Sequence, residues 1–400
     1  MKTNIPTGSV MKQKWTRRQI IKTAGMAAAG VTLLSTPIGK LMAAEESRSE
    51  LFKHKIYNGL RGLAEYPFFE MTDGGLLRLT VDGLERGIDG HTHFSLNSLA
   101  GGEPDLLKPF PKTFYYLPPD IKSSLYVYAN QNADQAARSE MTNIILRTLL
   151  PIDSPVTDSH TIPNLLKEMD LLGIEKSVVF PVQCGWLFGD NMTERYLDAV
   201  TRSGKADRFI VCGSVKPTQK KAVSQVKAYK EKGLKGIKMH PNMARFYPND
   251  ESAWPVYELC GKLDLPVLIH SGRTGFKEKT TFGMKFYTED YSDIKNYEAP
   301  IAAFPEVRFV LCHSGALQNE EAIRIAKKYP NVWLDIHGQG VDRIQTMIKE
   351  LGPEQLMYGS DWAFYPGSVI LARLLIATET DRTVRQMIFS DNARRFWNIA

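Results

Sequence analysis

Three observations predict an α/β chain folded as a (β/α)8 TIM barrel with a long insertion after the first strand. From residue 86 onward, short apolar runs rich in Val, Ile and Leu alternate with amphipathic stretches; eight such runs are present; and polar residues, mostly histidines, stand at their C-terminal ends. Buried parallel strands read as continuous apolar runs, and helices between them place apolar residues three and four apart. A doubly wound open sheet alternates in the same way, but gives no reason for so many polar strand ends.

The strand-like runs cover 87–93, 176–182, 208–215, 234–240, 265–270, 307–313, 331–337 and 355–361. Helix-like stretches fall between them at 162–172, 193–202, 219–232, 253–262, 316–328 and 342–351. One connection breaks the rhythm. Residues 95–160 are far longer than the ~2–6 residues usual for such a loop. They carry Phe110, Phe114, Tyr115, Tyr116, Leu117, Tyr126 and Tyr128, with a helix expected over 134–149. So aromatic a segment is expected to be ordered, over the barrel mouth or at a subunit contact. Without it the domain 86–400 is close to the ~250 residues typical of this barrel. Residues 45–85 read as an N-terminal extension, in which Gly74-Gly75 and the alternating run 76–81 predict a short strand or hairpin.

The net charge of +6 is concentrated at the start. Seven of the 50 basic residues (Lys2, Lys12, Lys14, Arg17, Arg18, Lys22 and Lys40) precede Glu45, leaving 43 against 44 acidic residues. The remainder is nearly neutral, which gives a nucleic-acid partner no support. Thr16-Arg17-Arg18-Gln19-Ile20-Ile21-Lys22, the modestly apolar stretch 23–34 and Ala43-Ala44 resemble a twin-arginine export signal. Residues 1–44 are therefore expected to be a signal peptide and the mature protein periplasmic, with no stable membrane anchor. Cys184, Cys212, Cys260 and Cys312 are widely spaced, without a CxxC pair, and read as buried free thiols.

In a parallel barrel the strand ends converge at one mouth, where active sites of this fold lie. The first run ends Asp89-Gly90-His91-Thr92-His93; in an extended strand Asp89, His91 and His93 share one face. The fourth ends in Lys238 and His240, the fifth in His270, the sixth in His313, the seventh in Asp335 and His337, and the eighth in Asp361. Imidazoles and a carboxylate gathered in one pocket suit a divalent ion, zinc first, with manganese, iron or cobalt also accommodated. Arg245 and Arg273, after the fourth and fifth runs, are each placed to hold a substrate carboxylate.

Several motifs together make the pattern specific: Asp-Gly-His-Thr-His, Lys-Gly-Ile-Lys-Met-His-Pro at 235–241, Pro-Val-Leu-Ile-His-Ser-Gly at 266–272, Leu-Cys-His-Ser-Gly at 311–315, Tyr-Gly-Ser-Asp-Trp at 358–362 and Asn-Ala-Arg-Arg-Phe-Trp at 392–397. They resemble the amidohydrolase superfamily, and within it the metal-dependent hydrolases and decarboxylases related to aminocarboxymuconate-semialdehyde decarboxylase. The resemblance implies His91, His93, His270 and Asp361 as metal ligands, with Asp361 and His313 as catalytic groups; Lys238, His240 and Arg273 are candidate substrate contacts from their places at or after strand ends, with hydrogen-bonded structural roles as the alternative. It implies one metal, so that Lys238 binds substrate or pairs with a carboxylate rather than carrying a carbamate between two ions. Asp89 is expected to orient a ligand histidine.

The function this implies is hydrolysis of an amide, ester or lactone bond of a small molecule by metal-activated water, with Asp361 carrying the proton and His313 donating to the developing oxyanion. The alternative is a non-oxidative decarboxylase, in which the metal holds a carboxylated substrate. A barrel that has lost catalysis would not need the full donor set. A homo-oligomer is compatible with the resemblance, although no sequence feature fixes a number.

Overall fold

The computed structural model describes residues 56–96, 104–117, 122–124, 141, 143–144, 154–183, 192–275, 280–281, 284–285 and 288–399. The signal-like segment, Cys184 and nearly all of the helix expected over 134–149 lie outside these residues.

Eight parallel strands follow the predicted order: β1 (Gly87–Thr92), β2 (Ile174–Val179), β3 (Phe209–Val211 continued by Gly213–Ser214), β4 (Ile237–Met239), β5 (Val267–His270), β6 (Phe309–Cys312), β7 (Val332–Asp335) and β8 (Leu356–Met357). Each pairs with the next in sequence. The last meets the first: Gly90 N–H donates to Tyr358 O at 2.9 Å, Asp361 N–H to His91 O at 2.8 Å, and Thr92 bridges to Trp362 in parallel. These bonds join β1 to the segment that follows β8, so the sheet returns on itself as a barrel.

Each strand is followed by a helix: α1 (Ile162–Leu171), α2 (Met192–Arg202), α3 (Ala222–Glu231), α4 (Trp254–Lys262), α5 (Glu298–Ala303), α6 (Asn319–Lys328), α7 (Val341–Leu351) and α8 (Gly367–Ala377). Most bury one stripe; α7, for example, buries Val341, Ile344 and Met347, three residues apart. Helix α8 differs, with every residue from Gly367 to Leu375 buried. It packs against α7 and against the 3-10 turn Gly59–Glu65 of the N-terminal extension, which also carries the hairpin Phe69–Met71 with Leu77–Leu79. An apolar helix outside a barrel needs cover on its outer side, and the extension contributes to that cover.

The inner core joins Ile88, Val178, Phe180, Ile210, Leu268, Val310 and Met357 to Ala393 and Phe396 of the last helix, Asn392–Trp397. The closing Asn-Ala-Arg-Arg-Phe-Trp motif thus has a packing role: its apolar members enter the same cluster as the strands. Asn392 Nδ2 donates to the carbonyls of Pro353 and Leu356, anchoring that helix beside β8. Cys212, Cys260 and Cys312 are buried free thiols. Among the described residues no helix is long and apolar enough to cross a membrane.

Candidate metal centre

Strand ends β1, β7 and β8 bring their donors together. His91 Nδ1 lies 2.8 Å from Asp335 Oδ2, and His93 Nδ1 lies 2.8 Å from the carbonyl oxygen of Phe180. A carbonyl only accepts, as does an ionised carboxylate, so both Nδ1 atoms carry their protons and both Nε2 atoms are turned toward Asp361. His91 Nε2 stands 3.3 Å and His93 Nε2 3.0 Å from Asp361 Oδ1. The three side chains offer donor atoms that all lie within 4.8 Å of one another. This is the histidine arrangement in which a partner on Nδ1 fixes the tautomer and leaves Nε2 for a cation.

The electrostatics fit the same reading. Burial is the largest influence on His93 and lowers its pKa to about 4, so its Nε2 is a bare lone pair facing a carboxylate oxygen. For His91, burial and Lys238 oppose the charged form, yet Cys312, Asp361 and the Asp335 hydrogen bond carry its pKa well above the usual imidazole value. Burial likewise opposes ionisation of Asp361, but His337 and His91 hold its carboxyl well below the usual range. The pocket therefore keeps Asp361 ionised beside the two Nε2 atoms. A cation placed there answers His91 and His93 together, and the donor set of two imidazoles and a carboxylate suits a divalent first-row metal.

The other expected residues divide. His270 is buried, its Nε2 has no hydrogen-bond partner among the described residues, and its ring stacks on His240 at 4.0 Å between centroids. It adjoins His313 at 4.6 Å but is not a member of the His91, His93, Asp361 trio. Burial lowers the pKa of His270, His240 and His313 well below the ordinary value, keeping all three neutral. His313 begins a run of left-handed residues, with φ of 66°, 46°, 76° and 47° for His313, Ser314, Gly315 and Ala316. Asp335 Oδ1 accepts from His313 N–H and Gln339 donates to His313 O, each at 2.7 Å, holding this turn in place. His337 Nε2 is 3.0 Å from the second oxygen of Asp361. Arg245 caps the one-turn helix after β4 in a left-handed conformation.

Three further residues have local partners. Arg273 is engaged locally: its guanidinium donates to Asp293 at 2.8 Å and to Asp290 at 3.1 Å, fastening the loop after β5. Lys238 makes no ion pair among the described residues and lies under Phe180, beside the trio. It is 1 % exposed, with Nζ 3.2 Å from Cys312 Sγ and 4.5 Å from the centre of the Phe180 ring, so it fills the barrel as an aliphatic stem with a cation–π contact. Asp89 engages the backbone of His91. A β-bulge between Asp89 and Thr92 breaks the strict alternation, and Asp89 Oδ1 accepts instead from the backbone N–H of His91 and Ser360, tying β1 to the end of β8.

An aromatic wall flanks the trio. Phe180 lies 4.8 Å from both His91 and His93, Phe364 lies 5.9 Å from His93, and Tyr116 of the insertion stacks on Phe364 at 4.4 Å. The described part of the insertion thus packs at the mouth, where Leu117 N–H donates to Phe364 O at 2.9 Å. Behind it, Glu168 of α1 accepts from Tyr115 OH, Trp362 Nε1 and Gly367 N–H. Trp362 closes the Tyr-Gly-Ser-Asp-Trp motif, whereas Phe364 and Glu168 lie in no motif and Phe364 is signalled only by its proximity to Asp361.

Solved structures of similar fold include 5-carboxyvanillate decarboxylase from Sphingomonas paucimobilis, at 15% identity over 79% of this chain and 99% of that one, with a TM-score of 0.54. A 5-carboxyvanillate decarboxylase from Novosphingobium aromaticivorans, complexed with manganese and 4-hydroxy-3-methoxy-5-nitrobenzoic acid, matches at 15% identity over 79% and 97%, with a TM-score of 0.51. The apo form of IDCase from Metarhizium anisopliae matches at 15% identity over 78% and 97%, with a TM-score of 0.50. No curated protein shows significant similarity in sequence. The family described as Amidohydrolase matches residues 173–399, which include β2 to β8, His270, His313 and Asp361. The chain belongs to the amidohydrolase family.

Proposed function

We propose that this protein is a metal-dependent decarboxylase of a small aromatic carboxylate. The observation that carries the reading is the aromatic wall of Phe364, stacked on Tyr116 and set beside His93, an apolar surface that suits a planar ring. The decarboxylases of similar fold support it, and they favour it over the hydrolysis the sequence put first. A bound divalent cation would supply a Lewis acid for the substrate oxygens, held by His91, His93 and Asp361 with His270 alongside. Zinc is the ion expected from the donors, and manganese the one held by the Novosphingobium enzyme.

The protein's own part is proton management. Asp361, kept ionised, takes a proton from a substrate hydroxyl or from water and returns it to the carbon bearing the carboxylate. The carbon–carbon bond then breaks, its electron pair restores the ring, and carbon dioxide leaves. His313 faces the same space on its constrained turn and is neutral, able to donate to a developing oxyanion. Hydrolysis remains a second reading because Arg273, the cation expected to hold a substrate carboxylate, is engaged by Asp290 and Asp293. Carbon dioxide release from a panel of hydroxylated benzoates, run against base uptake on esters, lactones and amides, separates the two. Turnover of a lactone or amide with no benzoate consumed would overturn decarboxylation. We propose also that the enzyme is exported; replacing Arg17-Arg18 by Lys-Lys should retain it in the cytoplasm.

A further inference from the structure

Lys238 stands on β4 and Cys312 on β6, two strands separated by β5, which pairs with both. Their side chains nevertheless meet inside the barrel. Lys238 Nζ donates to Cys312 Sγ at 3.2 Å, and both residues are buried, the lysine at 1 % exposure and the cysteine at 0 %. Cys260 offers a contrast: burial pushes its thiol up to about 12, the mark of an inert cysteine. Cys312 instead has an amine in contact, and its sulfur belongs with His91 and Asp335 to a group whose donor atoms all lie within 4.8 Å of one another. Basic neighbours are the setting of reactive cysteines.

We propose that Lys238 and Cys312 form an oxidative modification site, at which dioxygen joins them by a covalent Nζ–O–Sγ bridge. The lysine reacts as the free amine, any further proton passing to solvent. The S–H bond of Cys312 and one N–H bond of Lys238 break, while an S–O and an N–O bond form. Sulfur and nitrogen together give up four electrons to dioxygen; one of its atoms stays in the bridge, and the other leaves as water with the two released hydrogens. The observed spacing selects this product. A direct N–S bond would require the two atoms to close much further, against a packed core, whereas an intervening oxygen needs only a small approach. Dioxygen is small and apolar enough to enter such a core, and the export proposed above would place the chain in an oxidising compartment. The bridge ties β4 to β6 across β5. It also draws Nζ from its place 4.5 Å from the centre of the Phe180 ring, which flanks both His91 and His93.

The test is independent of any turnover. Full-length wild-type protein is purified under nitrogen and divided, one half kept anaerobic and the other held in air; both are alkylated, digested and mapped by mass spectrometry, and their thiols are counted in denaturant. In air, the peptides holding Lys238 and Cys312 should be joined, with a combined mass raised by one oxygen and lowered by two hydrogens. The thiol count should fall by one from the four of the sequence, and dithiothreitol should restore it. Joining residues 74 apart in the chain should also raise the melting midpoint of the aerobic form. Cys312→Ser and Lys238→Met should give no joined peptide, and the wild-type map stands even where a variant fails to fold. Separate peptides with Cys312 still a thiol after exposure to air would overturn the proposal. So would a Cys312 sulfinic acid on an unjoined peptide, or a disulfide between Cys212 and Cys312.

Discussion

Removing the Glu168 carboxylate is the sharpest test of how the insertion, the β8 turn and α8 are held together. Oε2 accepts from Tyr115 OH at 2.6 Å and from Trp362 Nε1 at 2.8 Å, while Oε1 accepts from Gly367 N–H at 2.6 Å. Burial raises the pKa of this carboxyl, with the three donors working against it. Glu168→Ala strands three buried donors at once. Each unmade bond costs ~1–3 kcal/mol, and with partial relief by entering water the expected loss is about 3–5 kcal/mol. Glu168→Gln can keep an oxygen for Tyr115 and Trp362 but sets an amide N–H against Gly367 N–H, for a loss of about 1–3 kcal/mol. Trp362 follows Asp361 directly, so manganese affinity should fall with stability, by roughly 10–100-fold in the alanine variant. Urea denaturation with a fixed slope measures the first effect and a metal titration the second. An alanine variant within ~1 kcal/mol of wild type, or a glutamine variant equally damaged, would refute the three-donor account.

Asp361→Asn should lower turnover by at least ~10³-fold while circular dichroism stays unchanged, and near wild-type rates would remove it as the proton carrier. Replacing His91 and His93 together by Ala should empty the metal site, which elemental analysis checks directly. His160 is buried, and burial lowers its pKa to about 4 although Nε2–H donates to Phe114 O. The unfolded chain takes up this proton near pH 6.5, so the contribution of neutral His160 is complete above ~6.5 and is lost as pH falls toward 4, up to ~3 kcal/mol in all. The stability gap between wild type and His160→Gln should narrow over that window; a gap independent of pH would rule this out. Gly272 has φ +80°, and a Cβ there would lie 1.8 Å from Gly315 O. Gly272→Ala should therefore cost more than ~3 kcal/mol or prevent soluble expression, and an unchanged melting temperature would contradict that close approach.

The barrel was legible because its signals are local and periodic. Strand runs ending in His91, His270, His313 and Asp361 need no knowledge of neighbours, and α7 shows its buried stripe in sequence. Helix α8 escaped because a helix apolar on every side has no period to detect. The bulge at Asp89 escaped for a different reason: an extra residue is defined by the strand opposite, which local alternation cannot show. The ion pairs of Arg273 were not legible because Asp290 and Asp293 belong to a loop whose path follows no regular pattern. Glu168 looked like any acid on a helix; its three partners come from three distant stretches of chain. Gathering at the barrel mouth was readable from strand ends, while the division of labour between the two oxygens of Asp361 required coordinates.

The donors of the trio sit on either side of the place where the barrel closes. His91 and His93 belong to the first strand and Asp361 follows the last, and the backbone bonds between them are the ones that complete the ring. An ion held there acts as a rivet across the joint. Because it binds only the closed form, it stabilises that form by mass action, by about 2.7 kcal/mol at a hundred times its dissociation constant. Metal occupancy then reports whether the ring has shut: a chain lacking its final strand keeps both histidines yet has no Asp361 to complete the grip.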